Sequence, residues 1–237
     1  IAARWSTATV LNRTVDDCSI LLDSLLRARG FSPRMLAEAS VCSVVPPLTA
    51  VYEEMLKQKL SSKPLIVGTG IRTGIKICMD NPREVGADRV VDALAAYSLY
   101  KGPVIIVDMG TATTFDTVSS QGEYLGGAIA PGLKTSVESL YARTSVLPRI
   151  ELTRPKKAIG TNTVSAMESG IIFGYAGLIE GLVVRIEKEL GQKATVVGTG
   201  GLASVVARET NVIDNVNPDL TLVGLKLVYR LNKESRR

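Results

Sequence analysis

The stretch PVIIVDMGTATTFD, residues 103–116, decides the fold class. Val104, Ile105, Ile106 and Val107 are consecutive β-branched residues, the composition of a buried strand. The run enters Asp108, then Gly110, then the hydroxyls of Thr111, Thr113 and Thr114, then Asp116. Thr113, Phe115 and Thr117 alternate, so the chain turns at Gly110 and returns as a second strand rather than a helix. An acid at the end of an apolar strand is costly without a partner. Such a bend suits phosphate and a cation. Gly110 lets a phosphate approach the backbone, threonine hydroxyls donate, and Asp108 offers a hard oxygen to a metal ion. The competing reading is a threonine-rich hairpin with a solvated Asp.

Outward from this stretch, strands and helices alternate. Thr14, with Asp17 three residues on, opens a helix that Gly30 ends. ASVCSVVPP reads as a strand ended by Pro46 and Pro47, TAVYEEMLKQKL as a helix, PLIVGTG as a strand with a glycine turn, and DRVVDALAAYSLY as a helix. After the central hairpin come a strand in GEYLGGAIAPG and a short helix after Pro131. A long helix runs from about Thr163 towards Leu190, and KATVVGTGGLASVVARE is strand, turn and helix. A closing helix has Asn217 as N-cap and Pro218 at its first position. The class is α/β.

Composition narrows the chemistry. With 237 residues, 46% of them hydrophobic, the chain can bury a sizeable core. The net charge of +5 comes without a dense basic block, which argues for no nucleic-acid partner and at most a mild pull on anionic ligands. There is no histidine, which excludes histidine-ligated metal sites and Ser-His or Cys-His catalysis. Cys18, Cys42 and Cys78 are scattered without a C-x-x-C spacing, as in a reduced, cytoplasmic protein. No apolar run reads as long enough to cross a membrane, so no membrane partner is expected.

Two further stretches carry candidate chemistry. VVGTGGLAS places Gly198, Gly200 and Gly201 between a buried strand and a helix, where a phosphate can meet free N–H groups; a plain tight turn is the alternative. In DNPREVGADRVVDALAA, Asp88 and Arg89 stand at a helix mouth after Gly86. An acid there is commonly a cap, and the functional reading is a general base with a cationic neighbour. In the long helix, Gly170, Gly174, Gly177 and Gly181 fall on one face. Each costs about 1 kcal/mol of helix propensity against alanine, tolerable where another backbone packs closely. That backbone belongs either to a helix of the same chain or to a dimer seam.

DNPREVGADR, DMGTATTFD, GGAIAPG with LYARTSVLP, IGTNTVSAMESG and GTGGLA occur in this order. Together they resemble type III pantothenate kinase across nearly the whole chain. The resemblance implies the acetate and sugar kinase, Hsp70 and actin fold: two ribonuclease-H-like domains with mixed sheets flanked by helices and a cleft between them. The domains would fall at about 1–100 and 101–237. It implies ATP-dependent phosphorylation of the primary hydroxyl of pantothenate, the first step of coenzyme A biosynthesis. It also implies a cytoplasmic homodimer using Mg2+ with ATP and a monovalent cation, K+ or NH4+.

By the same resemblance, Asp88 is the catalytic base, and Gly86, Ala87, Arg89 and Thr163 contact pantothenate. Asp108 is the monovalent-cation ligand. Thr111 contacts ATP, as do the turns at Gly110 and at Gly198, Gly200 and Gly201. Where the family has a tyrosine in the pantothenate site, this chain has Met79, which fills the space without a hydroxyl. The family also opens with a strand, an Asp-x-Gly-Asn-Thr phosphate motif and a second strand. These would lie ahead of Ile1, on the order of twenty residues. Two rival functions are a nucleotide-binding accessory factor for transcription and an actin-fold phosphatase. The former needs no base at Asp88, and the latter needs an acid that positions water.

Overall fold

The structure, a computed structural model, describes residues 1–234. In chain order its elements are α1 (Val15–Ala28), β1 (Ser40–Val41), α2 (Pro46–Lys59), β2 (Leu65–Ile66), β3 (Lys76–Ile77), α3 (Ala87–Tyr100), β4 (Val104–Met109), β5 (Ala112–Val118), β6 (Glu123–Pro131), α4 (Leu133–Arg143), α5 (Thr163–Leu190), β7 (Thr195–Thr199), α6 (Ala203–Val206), β8 (Asn215–Val216) and α7 (Leu220–Glu234).

The predicted capping box is present: Thr14 Oγ1 accepts from Asp17 N–H, and Asp17 accepts from Thr14 N–H. Pro46 and Pro47 do not end the predicted strand, which stops at Val41. They form the first turn of α2, where a missing N–H costs nothing. α7 begins at Leu220, later than predicted, so Pro218 is not its first position; Asn217 Oδ1 accepts from Asp219 N–H at 3.1 Å in the turn ahead of the helix.

The main sheet has six strands in the order β3-β6-β5-β4-β7-β8. β4, β5 and β6 form an antiparallel meander, β7 runs parallel to β4, and β8 runs parallel to β7. The order β6-β5-β4-β7-β8 is that of a ribonuclease-H-like unit, a mixed sheet with helices on both faces. β1 and β2 form a separate parallel pair.

Alternation along β4 divides the core. Ile105, Val107 and Met109 join Phe115 and, from α5, Ile171, Ile172, Tyr175 and Ile179. Val104 and Ile106 join Val118 and Tyr124 and, from α3, Val90, Ala93 and Ala96. Asp108 has the parity of Ile106, so its side chain belongs to the α3 face.

α3 is in turn crossed by α7. A Cβ on Gly224 would lie 2.0 Å from the carbonyl oxygen of Val91, so the two backbones meet without a side chain between them. α5 is, by length and composition, apolar enough to cross a membrane, unlike the reading from run length alone. Its apolar stripe is a wall of the core. Among the described residues no backbone packs against the glycine face of α5. A Cβ on Gly170, Gly174 or Gly177 would meet nothing within 4 Å, and on Gly181 only the Arg185 side chain.

Candidate active site

The site grows from the end of β4. Asp108 is registered opposite Thr114 on β5 and Thr199 on β7. Beyond it lie the Gly110–Thr111 turn and the Gly200–Gly201 turn, side by side. Gly200 is in the left-handed region (φ +87°), and a Cβ there would be 2.5 Å from Asp108 Oδ1 and 2.7 Å from Met109 O. Gly132, capping α4, presses on the first turn: a Cβ there would lie 2.3 Å from Thr111 O. Thr111 O accepts from Gly132 N–H at 3.1 Å and from Thr135 Oγ1 at 2.8 Å, which fixes the turn. A cavity of about 330 Å³ opens here, lined by Gly110, Thr111, Lys134, Thr135, Gly201 and Leu202 among others. Gly198 stands one step back, inside β7, where a Cβ would meet Ile213 at 3.3 Å.

Asp88 enters from α3. Gly86 is the N-cap, and Asp88 Oδ1 accepts from Arg89 N–H at 2.8 Å. A Cβ on Gly86 would sit 2.5 Å from that oxygen, so the glycine leaves the carboxylate its space. Arg89 points at the sheet. Its Nε donates to Asp116 Oδ1 at 2.7 Å. The same oxygen accepts from the Tyr124 hydroxyl at 2.6 Å, and Thr114 Oγ1 donates to Asp116 Oδ2 at 2.9 Å. Met79 packs at the margin of the Tyr124 cluster, its sulfur facing Gly126.

The electrostatics are those of crowded carboxylates. Burial, then the Asp88 and Asp116 charges, push Asp108 up to about 6. Burial also raises Asp116, against the pull of Tyr124, Arg89 and Thr114. Asp92, one turn after Asp88, is 3% exposed, and its Oδ1 has no hydrogen-bond partner among the described residues. Burial pushes Asp92 up to about 7, opposed by a hydrogen bond from Thr221 and assisted by Asp108, Asp116 and Asp88.

A carboxylate raised in this way gains from a nearby cation. Among the described residues no group of three or more His, Cys, Asp or Glu could hold a metal ion. One carboxylate flanked by threonines suits a weakly held cation completed by ligand oxygens better than an all-protein divalent cage.

Most sequence-predicted residues fall in two groups, Gly86, Ala87, Asp88 and Arg89 at the mouth of α3 and Asp108, Gly110, Thr111, Gly200 and Gly201 at the strand ends, near enough for the Asp88 charge to raise Asp108. Thr163 does not join them. It opens α5 on a different cavity, beside Leu140, Leu147, Gly160 and Asn162. Asp116, Tyr124, Asp92 and Lys134 were not candidates. Strand parity could have found Asp116, which shares a face with Asp108 across the hairpin.

The sequence profile described as type III pantothenate kinase matches residues 1–185. The type III pantothenate kinase of Dehalococcoides mccartyi strain 195 is 54% identical over 233 residues, covering 98% of this chain and 90% of that protein. That of Moorella thermoacetica is 47% identical over 232 residues, covering 98% and 91%. Among solved structures, a Baf family transcriptional activator from Campylobacter jejuni superposes with a TM-score of 0.58 at 21% identity, covering 90% of this chain and 89% of that one. This last likeness speaks to the fold alone. The matching profile and relatives 54% and 47% identical over 98% of the chain carry one conclusion: the chain belongs to the type III pantothenate kinase family.

Proposed function

We propose that this chain transfers the γ-phosphoryl group of ATP to the primary hydroxyl of pantothenate, giving 4'-phosphopantothenate, the first step of coenzyme A biosynthesis. The observation that carries this reading is the placing of Asp88 and Arg89 on the first turn of α3, in one charged neighbourhood with Asp108 and its two glycine turns. It occurs in a chain 54% identical to a type III pantothenate kinase over nearly its whole length.

Asp88 accepts the proton of the hydroxyl as that oxygen attacks the γ-phosphate in line. Gly86, Ala87, Arg89 and the apolar surface of Met79 hold pantothenate. The backbone at Gly110, Thr111, Gly200 and Gly201 approaches the phosphates, with Gly198 packing the strand behind them. Asp108, between Thr114 and Thr199, is the ligand for K+ or NH4+. When bound, that ion and the Mg2+ carried with ATP neutralise charge on the phosphates. A carboxylate base is sufficient for a loose phosphoryl-transfer transition state, in keeping with a sequence that has no histidine.

The test is product formation by the full-length protein. Phosphopantothenate should appear only with both ATP and pantothenate, and faster in potassium or ammonium than in sodium at fixed ionic strength. Phosphate release from ATP without phosphopantothenate would favour a phosphatase. Nucleotide binding without turnover would favour a sensor. Equal rates in the three salts would remove Asp108 from the cation role.

The reading includes a cytoplasmic homodimer. Its support is the bare face of α5 at Gly170, Gly174 and Gly177, together with Thr163 at the head of the same helix, on a cavity apart from Asp88. A second copy packed on this face would cover the glycines and bring Thr163 to a site it does not reach within one chain. Gly174→Leu should halve the sedimenting mass while the helix content holds. If the face is merely solvated, Gly174→Ala should stabilise by about 1 kcal/mol and neither change should alter the mass.

A further inference from the structure

Arg89 is fixed before any substrate arrives. Its Nε–H is held by Asp116, whose side chain is 1% exposed. Asp116 is itself held from two sides, by the Tyr124 hydroxyl on one oxygen and by Thr114 on the other. The Tyr124 ring also lies 5.9 Å from the guanidinium carbon. Sequence-distant elements therefore converge on one rotamer: α3 supplies the arginine, β5 the carboxylate and β6 the tyrosine.

A guanidinium has five N–H donors in a rigid fork. Here one of them is committed to the sheet. The edge formed by Nη1 and Nη2 makes no hydrogen bond within the described residues, and the side chain as a whole is 17% exposed. A fork of parallel donors is matched by a planar oxyanion that takes both bonds at once. Pantothenate has one such group, a carboxylate, at the end opposite its reacting hydroxyl.

We propose that Asp116, backed by Tyr124 and Thr114, is a positioning residue that holds Arg89 in the orientation that grips the carboxylate of pantothenate. It thereby selects the acid over uncharged molecules with the same hydroxyl. The inference rests on the pantothenate kinase reading above. Asp116 does not touch the substrate. It removes from the encounter the cost of ordering a long, flexible side chain. It also offsets the cost of carrying a buried cation in the empty site.

The experiment compares pantothenate with pantothenol, which keeps the primary hydroxyl and carries an alcohol in place of the carboxylate. Steady-state constants are measured for both, and for ATP, in the full-length protein. Asp116→Asn should raise KM for pantothenate about tenfold, with kcat and the KM for ATP moving less than about threefold. The preference for pantothenate over pantothenol in kcat/KM should fall about tenfold. Tyr124→Phe should move the preference the same way, about threefold, and it decides the matter if Asp116→Asn does not fold. Arg89→Ala should abolish the preference, and adding Asp116→Asn to it should change nothing more.

A purely structural role would slow both substrates alike and leave their ratio unchanged, which would overturn the proposal. So would an effect confined to the KM for ATP, which would give the fork to a phosphate. A wild-type protein that phosphorylates neither substrate would instead sink the kinase reading. One that phosphorylates pantothenate, with an unchanged ratio in the variants, would sink this inference alone.

Discussion

Asp88→Asn is expected to lower phosphopantothenate formation by about 10²–10⁴-fold, the usual worth of a positioned general base. The amide keeps the volume, and its oxygen can accept the Arg89 N–H that Asp88 Oδ1 accepts at 2.8 Å. It cannot take a proton from the substrate. ATP affinity should hold, because the phosphate turns lie at the strand ends and not on α3. Stability should change little. A helix loses an acid from its first turn, at roughly 0.3–1 kcal/mol, and a crowded site loses one negative charge that raises Asp108 and Asp92. If Asp88 is only a helix-end acid, turnover should survive the change. A variant with near wild-type kcat and an unchanged thermal midpoint would remove Asp88 from the chemistry.

Gly200→Ala is expected to be as damaging by a different route. Its backbone is left-handed, and the added carbon would lie 2.5 Å from Asp108 Oδ1 and 2.7 Å from Met109 O. The first contact could yield by moving the carboxylate; the second is backbone and cannot yield cheaply. Strain and clash together should cost about 2–4 kcal/mol. At about 2–4 °C per kcal/mol for a chain of this size, the midpoint should fall by roughly 4–16 °C. Activity should fall further than stability, by about a hundredfold when measured well below the midpoint, because Asp108 and the phosphate turn are displaced together. Gly201→Ala is the control. Its backbone is not left-handed and a Cβ there would meet nothing within 4 Å, so it should leave the midpoint nearly unchanged. Equal midpoints for the two variants would contradict the geometry at the turn.

Much of this was legible in the sequence because it rests on local rules. The capping residues Thr14 and Asp17, the β-branched run at 104–107 and the alternation after Gly110 each declare their element within a few residues. The edge strands β3 and β8 are two residues each, and partners far along the chain define them. No local pattern announces such a strand. Met79 and the α3 mouth were found through motif likeness, whereas the Arg89 anchor was not. Tyr124 reaches Asp116 from β6, past a register shift near Thr117 and Val118, and sequence spacing cannot count across a bulge. Thr163 shows the opposite limit. Its motif was plain, yet its distance from the other candidates is a property of topology.

The crossing at Gly224 has a consequence for synthesis. The helix that carries Asp88 is seated by a helix that begins at Leu220, after every candidate catalytic and binding residue has been added to the growing chain. A nascent chain therefore carries the complete set of reactive side chains for some time while α3 still lacks the backbone that seats against Val91. Premature stop codons between Gly201 and Leu220 would yield a polypeptide with all of these side chains and no firm orientation for Asp88.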